Sequence, residues 1–273
     1  MTGTVIEAHQ RGTTPVPTNK AVGPVFRTKR KLPWPLEIYS SAVGKKWVMA
    51  VSGVVLLGFV LVHMIGNLHL YEGPEKVNAY AEALRELGGE LAPRTFVLWV
   101  FRIGLAAAFV VHLHAAWSLT MINRKARAVP YQSKRDWIAA NFASRTMRWS
   151  GLIVGAYVLF HLADLTWGTA NPDFVRGDVY HNVVASFSRV PVAAFYVVAN
   201  VLLSIHIYHG AWSIFQSLGA SNPRFDHLRR WFAGVFAAVI LVGNVSFPVA
   251  VQLGLIDEDG RQIPVAASAS EEG

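Results

Sequence analysis

Five apolar runs, at about 47–70, 96–122, 149–168, 190–217 and 231–253, take up most of this 273-residue chain. Each approaches or exceeds the roughly 20 residues that an α-helix needs to cross a bilayer. Backbone polar groups in hydrocarbon must pair within their own segment, so such runs take helical form. The expected fold is an all-α membrane protein. A five-helix transmembrane bundle occupies 47–253, between an arm at 1–46 and a tail at 254–273. A chain that is 53% hydrophobic and only 15% charged has little polar surface with which to cover five such helices in water.

A net charge of +8 raises the question of a nucleic-acid partner, but the placement of the charge points elsewhere. Eight Lys and Arg fall in 1–46, seven in 123–148 and three in 219–230, so 18 of the 25 lie on one side of the expected membrane. Thirteen of the 17 acids lie elsewhere. By the positive-inside rule the basic side, with the N-terminus, is cytoplasmic and the C-terminus is outside. The expectation is a multi-pass protein of the cell inner (plasma) membrane with no nucleic-acid partner. The first 30 residues lack the apolar core of a signal peptide, so the arm reads as a cytoplasmic segment. Within it, 26–35 (FRTKRKLPWP) reads as an interfacial or partner-docking stretch. The basic face suits lipid headgroups or an acidic partner, with Lys29, Lys31 and Lys134 as expected contact points.

The connecting segments offer no enzyme. On the outer side, 79–87 (AYAEALREL) reads as a short amphipathic helix closed by Gly88 and Gly89, and 169–189 as polar and irregular. No phosphate-cradling glycine loop, nucleophile elbow or spaced carboxylate pair is present, and no internal repeat stands out. With no cysteine, the chain forms no disulfide and cannot by itself ligate an iron–sulfur cluster.

Chemistry concentrates inside the membrane. His63, His112, His161 and His206 lie within four different apolar runs, and an ionisable group there is a functional-site hypothesis by default. At about 1.5 Å per helical residue, His63 lies about 13 Å from Glu72 and His161 about 15 Å from Asn171. By the same rise, His112 lies about 27 Å from Arg94 and His206 about 26 Å from Arg189. His63 and His161 therefore share an outer level, and His112 and His206 an inner one. Neutral imidazole is a common axial ligand of haem iron, and two levels would stack two haems across the bilayer. A histidine in a span also serves as an interhelical hydrogen-bonding group or cavity lining, and spacing alone leaves both readings open. Small residues on three runs (Gly53, Gly58, Gly66; Gly104 and Ala106–Ala108; Gly151 and Gly155) suit either a flat ligand or ordinary helix packing. Arg102, just inside the second run, is expected to snorkel to the interface or to pair with a haem propionate.

Several motifs in order give these residues a family. They are 41–53 (SAVGKKWVMAVSG), 63–67 (HMIGN), His112 with 123–127 (NRKAR), 161–164 (HLAD) and 206–219 (HIYHGAWSIFQSLG). Together they make the chain, from about Ser40 to Pro248, resemble the cytochrome b membrane-anchor subunit of succinate dehydrogenases and fumarate reductases, in its single-chain, five-helix form. The resemblance implies two b haems, the outer held by His63 and His161 and the inner by His112 and His206. His114 faces about 200° from His112 on the helix, and the family spacing to Asn123 favours His112. His209 is expected beside a propionate or quinone, His69 at the interface, and His9, His181 and His227 outside the spans.

The resemblance also implies an assembly. A flavoprotein and an iron–sulfur subunit would deliver electrons from succinate, with room for a small additional membrane subunit. The electrons would pass to a quinone, menaquinone suiting a dihaem anchor with outer quinone chemistry. Candidate quinone-site residues are Ser40, Ser41, Lys45, Lys46 and Trp47 on the cytoplasmic side, with Asp164 outside and His209 inside. A histidine pair also ligates a Rieske-type cluster if a partner supplies cysteines. Rival classes are the dihaem anchor of another respiratory dehydrogenase or reductase, and a transporter whose histidines relay protons.

Overall fold

The computed structural model describes residues 33–126, 138–220, 222–258 and 260. Lys29, Lys31, Lys134 and His9 lie outside the described residues. Eight α-helices are present among those described: α1 Trp34–Ser40, α2 Ala42–Asn67, α3 Pro74–Arg85, α4 Phe96–Ala126, α5 Ile138–Leu165, α6 Val179–Ser188, α7 Val190–Ser217 and α8 Asp226–Gln252. Four of them, α2, α4, α7 and α8, are long and apolar enough to cross a membrane. α5, at 28 residues, is as long as α7 but falls short in apolar content. Its uncharged stretch between Arg148 and Asp164 is 15 residues, about 22 Å of helix, less than a bilayer core needs. The expected run at 149–168 is thus a helix that starts earlier and ends at Leu165 with an acid inside it.

The first long helix starts at a built corner. The Ser41 hydroxyl accepts from the Gly44 N–H at 2.9 Å, as an N-cap does, and donates to the Ile38 carbonyl at 2.8 Å. Lys45 is buried and donates to the Tyr39 and Ser40 carbonyls at 2.8 and 3.0 Å, closing the C-terminus of α1. Gly44 is required there, because a Cβ would lie 1.9 Å from the Ile38 carbonyl oxygen. Gly44→Ala is expected to cost about 1–3 kcal/mol by overpacking and to speed limited proteolysis between α1 and α2. A cleavage rate equal to wild type would contradict this account of the corner.

α7 and α8 pack along their length, α5 lies on α7, and α2 is flanked by α4 and α7. α4 leans on α2 and little else, and its exposed Phe96, Trp99, Phe101, Val110 and Trp117 leave an apolar surface suited to lipid. Arg102 is exposed on that surface with its guanidinium 5.3 Å from the Trp99 ring, a snorkelling arrangement.

One end of the bundle, here the acidic end, is closed by α3 and α6. α3 runs from Pro74, whose missing N–H costs nothing at a first turn, and so begins earlier than 79. Within it Glu82 accepts from Arg94 and Arg85, which hold its carboxyl below the usual carboxylate range. The stretch 169–189 is not irregular throughout: its second half is helix α6, seven of whose ten residues are buried. Asp178 caps α6 at the His181 N–H, and Asn78 of α3 accepts from the Val179 and Tyr180 N–H groups. At its other end Gln252 of α8 donates to the Phe187 carbonyl at 2.5 Å. A ten-residue helix is too short to stand alone, so its partners on α3 and α8 define it. The buried cluster of Met64, Leu70, Tyr180, Phe187, Tyr196 and Phe247 sits under this cap.

Candidate functional site

α2 and α5 both run from the basic end to the acidic end, and α4 and α7 run back. No extended backbone contact joins α2 to α5 or α4 to α7. The space between these helices is where the four histidines project. His63 of α2 and His161 of α5 face one another, with ring centroids 5.9 Å apart and planes at 85°. Each stacks or tilts against an aromatic one turn earlier, Phe59 at 5.2 Å and Tyr157 at 5.9 Å. His112 and His206 lie deeper toward the basic end, beside Ser52 and Ser150 respectively.

The deeper pair is held by one device used twice. His112 Nδ1 lies 3.1 Å from the Met49 carbonyl and 3.2 Å from the Ser52 hydroxyl. His206 Nδ1 lies 3.1 Å from the Ser150 hydroxyl and also engages the Met147 carbonyl. Gly53 and Gly151 face these rings, and a Cβ would lie 3.5 Å from His112 Cε1 and 3.2 Å from His206 Cε1. Both anchors read Met-x-x-Ser-Gly, at 49–53 (MAVSG) and 147–151 (MRWSG), and each is followed fourteen residues after its Met by a histidine, His63 or His161. α4 and α7 share a second pattern, HAAWS at 114–118 and HGAWS at 209–213. The chain therefore carries an internal repeat, α2–α4 and α5–α7, and each histidine pair takes one member from each copy: His63 and His161 at corresponding positions, His112 and His206 two and three residues before the second pattern. Only five-letter patterns of the repeat survive in the sequence, and the first of them picks out Ser52 and Ser150.

The shallower pair is not matched in this way. Asp164, completely buried, accepts from Arg189 at 2.7 Å, from Tyr196 at 2.9 Å and from Ser186. The Tyr196 hydroxyl lies 3.4 Å from His161 Nδ1. The position in α2 that corresponds to Asp164 is Gly66, packed against the Tyr80 side chain.

These residues fit a flat bis-imidazole-ligated group. Metal–imidazole bonds of about 2 Å plus about 1 Å from ring nitrogen to centroid would let two imidazoles roughly 6 Å apart hold one metal between them, and the His63 and His161 rings stand at 5.9 Å. In three of the four histidines Nδ1 is engaged by the protein, which orients the ring and leaves Nε2 uncommitted, the usual arrangement of a ligating histidine. At the basic end, His209 Nδ1 and Arg229 Nε and Nη1 are buried without a protein partner, so they are available to an anionic or carbonyl group.

The remaining sequence candidates are placed as follows. His114 points away from His112, its Nδ1 2.5 Å from the Tyr39 hydroxyl of α1. Ser40 donates to the Glu37 carbonyl at 2.6 Å, and Ser41 and Lys45 are spent on the α1–α2 corner. Lys46 and Trp47 are exposed, and Trp47 shares a shallow apolar cleft with Trp34, Ile38 and Val43. His69 pairs with Glu72 at 2.8 Å and His181 with the Asp173 carbonyl at 2.9 Å, both at the acidic end, while His227 is exposed near the basic end.

The model of the succinate dehydrogenase/fumarate reductase transmembrane subunit family matches residues 123–245, which hold α5, α6, α7 and most of α8. This is the family that the motifs resemble, and the match bears the resemblance out over that stretch. No curated protein and no solved structure matches the chain.

Proposed function

We propose, with the family match over 123–245 as premise, that this chain is the membrane anchor and electron-transfer subunit of a succinate:quinone oxidoreductase. In this reading it crosses the inner membrane five times with a cytoplasmic N-terminus, α5 being the third span. Its fellow charges support this: Arg148 lies toward the cytoplasmic edge, and Asp164 is neutralised by Arg189 at the outer one. The dicarboxylate site belongs to a flavoprotein partner, and an iron–sulfur partner hands electrons to the basic, cytoplasmic face.

The observation that carries the proposal is the meeting of His63 and His161, with His112 and His206 held alike by Ser52 and Ser150 at a second level, on helices that do not otherwise pack together. His63 and His161 would hold the outer b haem, and His112 and His206 the inner one. Bound there, a bis-histidine haem supplies reversible one-electron transfer. Ser52 and Ser150, with the Met49 and Met147 carbonyls, fix the inner imidazoles by holding Nδ1. Gly53 and Gly151 keep the space beside the rings free of side chains. His209 and Arg229 present unpaired buried donors suited to propionate or quinone oxygens. Menaquinone is the proposed acceptor, and the apolar cleft at Trp34, Ile38, Val43 and Trp47 is a candidate entry beside the cytoplasmic interface.

A reduced-minus-oxidised optical spectrum of the purified complex tests this. Two b-type α-band components are expected, with succinate reducing at least one. Full succinate–quinone activity without any b-type band would overturn the haem assignment and favour another centre.

A further inference from the structure

The two histidine levels differ in what stands behind them. Behind the inner pair stand neutral groups, the Ser52 and Ser150 hydroxyls and the Met49 and Met147 carbonyls. Behind one member of the outer pair stands a buried charge. Tyr196, 2% exposed, sits between the His161 ring and the Asp164 carboxylate, 3.4 Å from Nδ1 on one side and 2.9 Å from Oδ2 on the other. The hydroxyl has one proton, and a carboxylate is an acceptor only, so Tyr196 donates to Asp164 and its oxygen is left to accept from the His161 Nδ1–H. The repeat shows that this is specific to one copy, because Gly66 stands where the other would carry the acid.

We propose that Tyr196 and Asp164 are positioning residues that lower the midpoint potential of the outer centre through His161, leaving the inner centre untouched. The inference rests on the haem assignment of the preceding section and adds to it the source of the difference between the two centres. A carboxylate at the end of a hydrogen-bond chain makes the ligating imidazole more electron-rich and so favours the oxidised metal. Arg189 and Ser186 both donate to the carboxylate and hold it in place. His63 has no such support, so the outer site has one charge-backed ligand.

Redox titration of the whole complex in membranes, followed by optical and low-spin electron-paramagnetic-resonance signals, tests this. The outer transition is the one lost in His161→Ala. In Tyr196→Phe the outer centre is expected to be about tenfold more reduced at a fixed poise, an upward shift of about 59 mV for one electron. Its low-spin signal should move as well, while the inner transition stays put. Asp164→Asn, which keeps the side-chain volume, should shift the outer transition in the same direction. An outer transition unchanged in both variants, or an inner one that moves as far, would overturn the proposal. Loss of the outer centre in both variants would also overturn it, since the pair would then be purely structural. A wild-type complex without b-type transitions would sink the haem assignment itself, a result visible before any variant is made.

Discussion

His161→Ala is expected to remove one of two redox transitions and leave the other nearly in place, and His206→Ala to remove the other one. In the proposed assignment each centre would take one imidazole from each copy of the repeat, His63 with His161 and His112 with His206, so loss of a ligand should damage its own level first. The helices themselves should tolerate the change. Neither imidazole is fully buried, and the surrounding contacts are mostly to aromatic rings and small residues. The two variants should differ in function. Because the inner level lies nearer the basic face, where the iron–sulfur partner is proposed to dock, His206→Ala should abolish electron entry. His161→Ala should leave the inner centre reducible by succinate. Titrating both variants in membranes checks the pairing, and abolition of the same transition by both substitutions would show that it is wrong.

The two levels were legible in the sequence for a simple reason. A helix in a bilayer has a fixed rise, and charged residues mark where it ends, so counting residues from Glu72, Arg94, Asn171 and Arg189 converts position into depth. The structure faces His63 to His161 as that count requires. Four of five expected spans correspond to long apolar helices. The fifth shows the limit of apolar counting: the expected run corresponds to α5, whose Asp164 is paired with Arg189, 25 positions later, which no local window sees.

What stood behind the histidines was not legible. Tyr196 touches the His161 ring across a sequence separation of 35, and Ser150 reaches His206 across 56. No short pattern links such residues until the helices are packed. Helix α6 was hidden for a related reason, since its ten residues are held by Asn78 and Gln252, both far away in sequence. The candidate residues on the cytoplasmic side show the opposite difficulty. Ser40, Ser41 and Lys45 look like free hydrogen-bonding groups in the sequence, yet each is bonded to a backbone carbonyl of the α1–α2 corner. A polar side chain beside a helix start is first of all a cap. Lys46 and Trp47 of that group take no part in the hydrogen bonds of the corner.

Asp164→Ala is expected to be the most destabilising single substitution in the bundle. The carboxylate has no exposed surface and gathers Arg189, Tyr196 and Ser186 around it, joining α5, α6 and α7 at one point. Removing it strands the Arg189 guanidinium, which is less than one-third exposed and whose Nε already lacks a partner. It also leaves the Tyr196 and Ser186 hydroxyls without their acceptor. Breaking a buried pair from one side costs about 3–5 kcal/mol, a large share of the stability of a typical domain. Asp164→Asn retains an acceptor oxygen for the hydroxyls and should lose less. Combining Asp164→Ala with Arg189→Met removes both charges and should recover part of the loss, because an apolar replacement of a buried pair is often neutral. Thermal denaturation of the detergent-solubilised complex checks the order: Asp164→Ala lowest, Asp164→Asn and the double variant between it and wild type. A double variant no more stable than Asp164→Ala would show that the hydroxyl network, rather than the ion pair, holds the acidic end together.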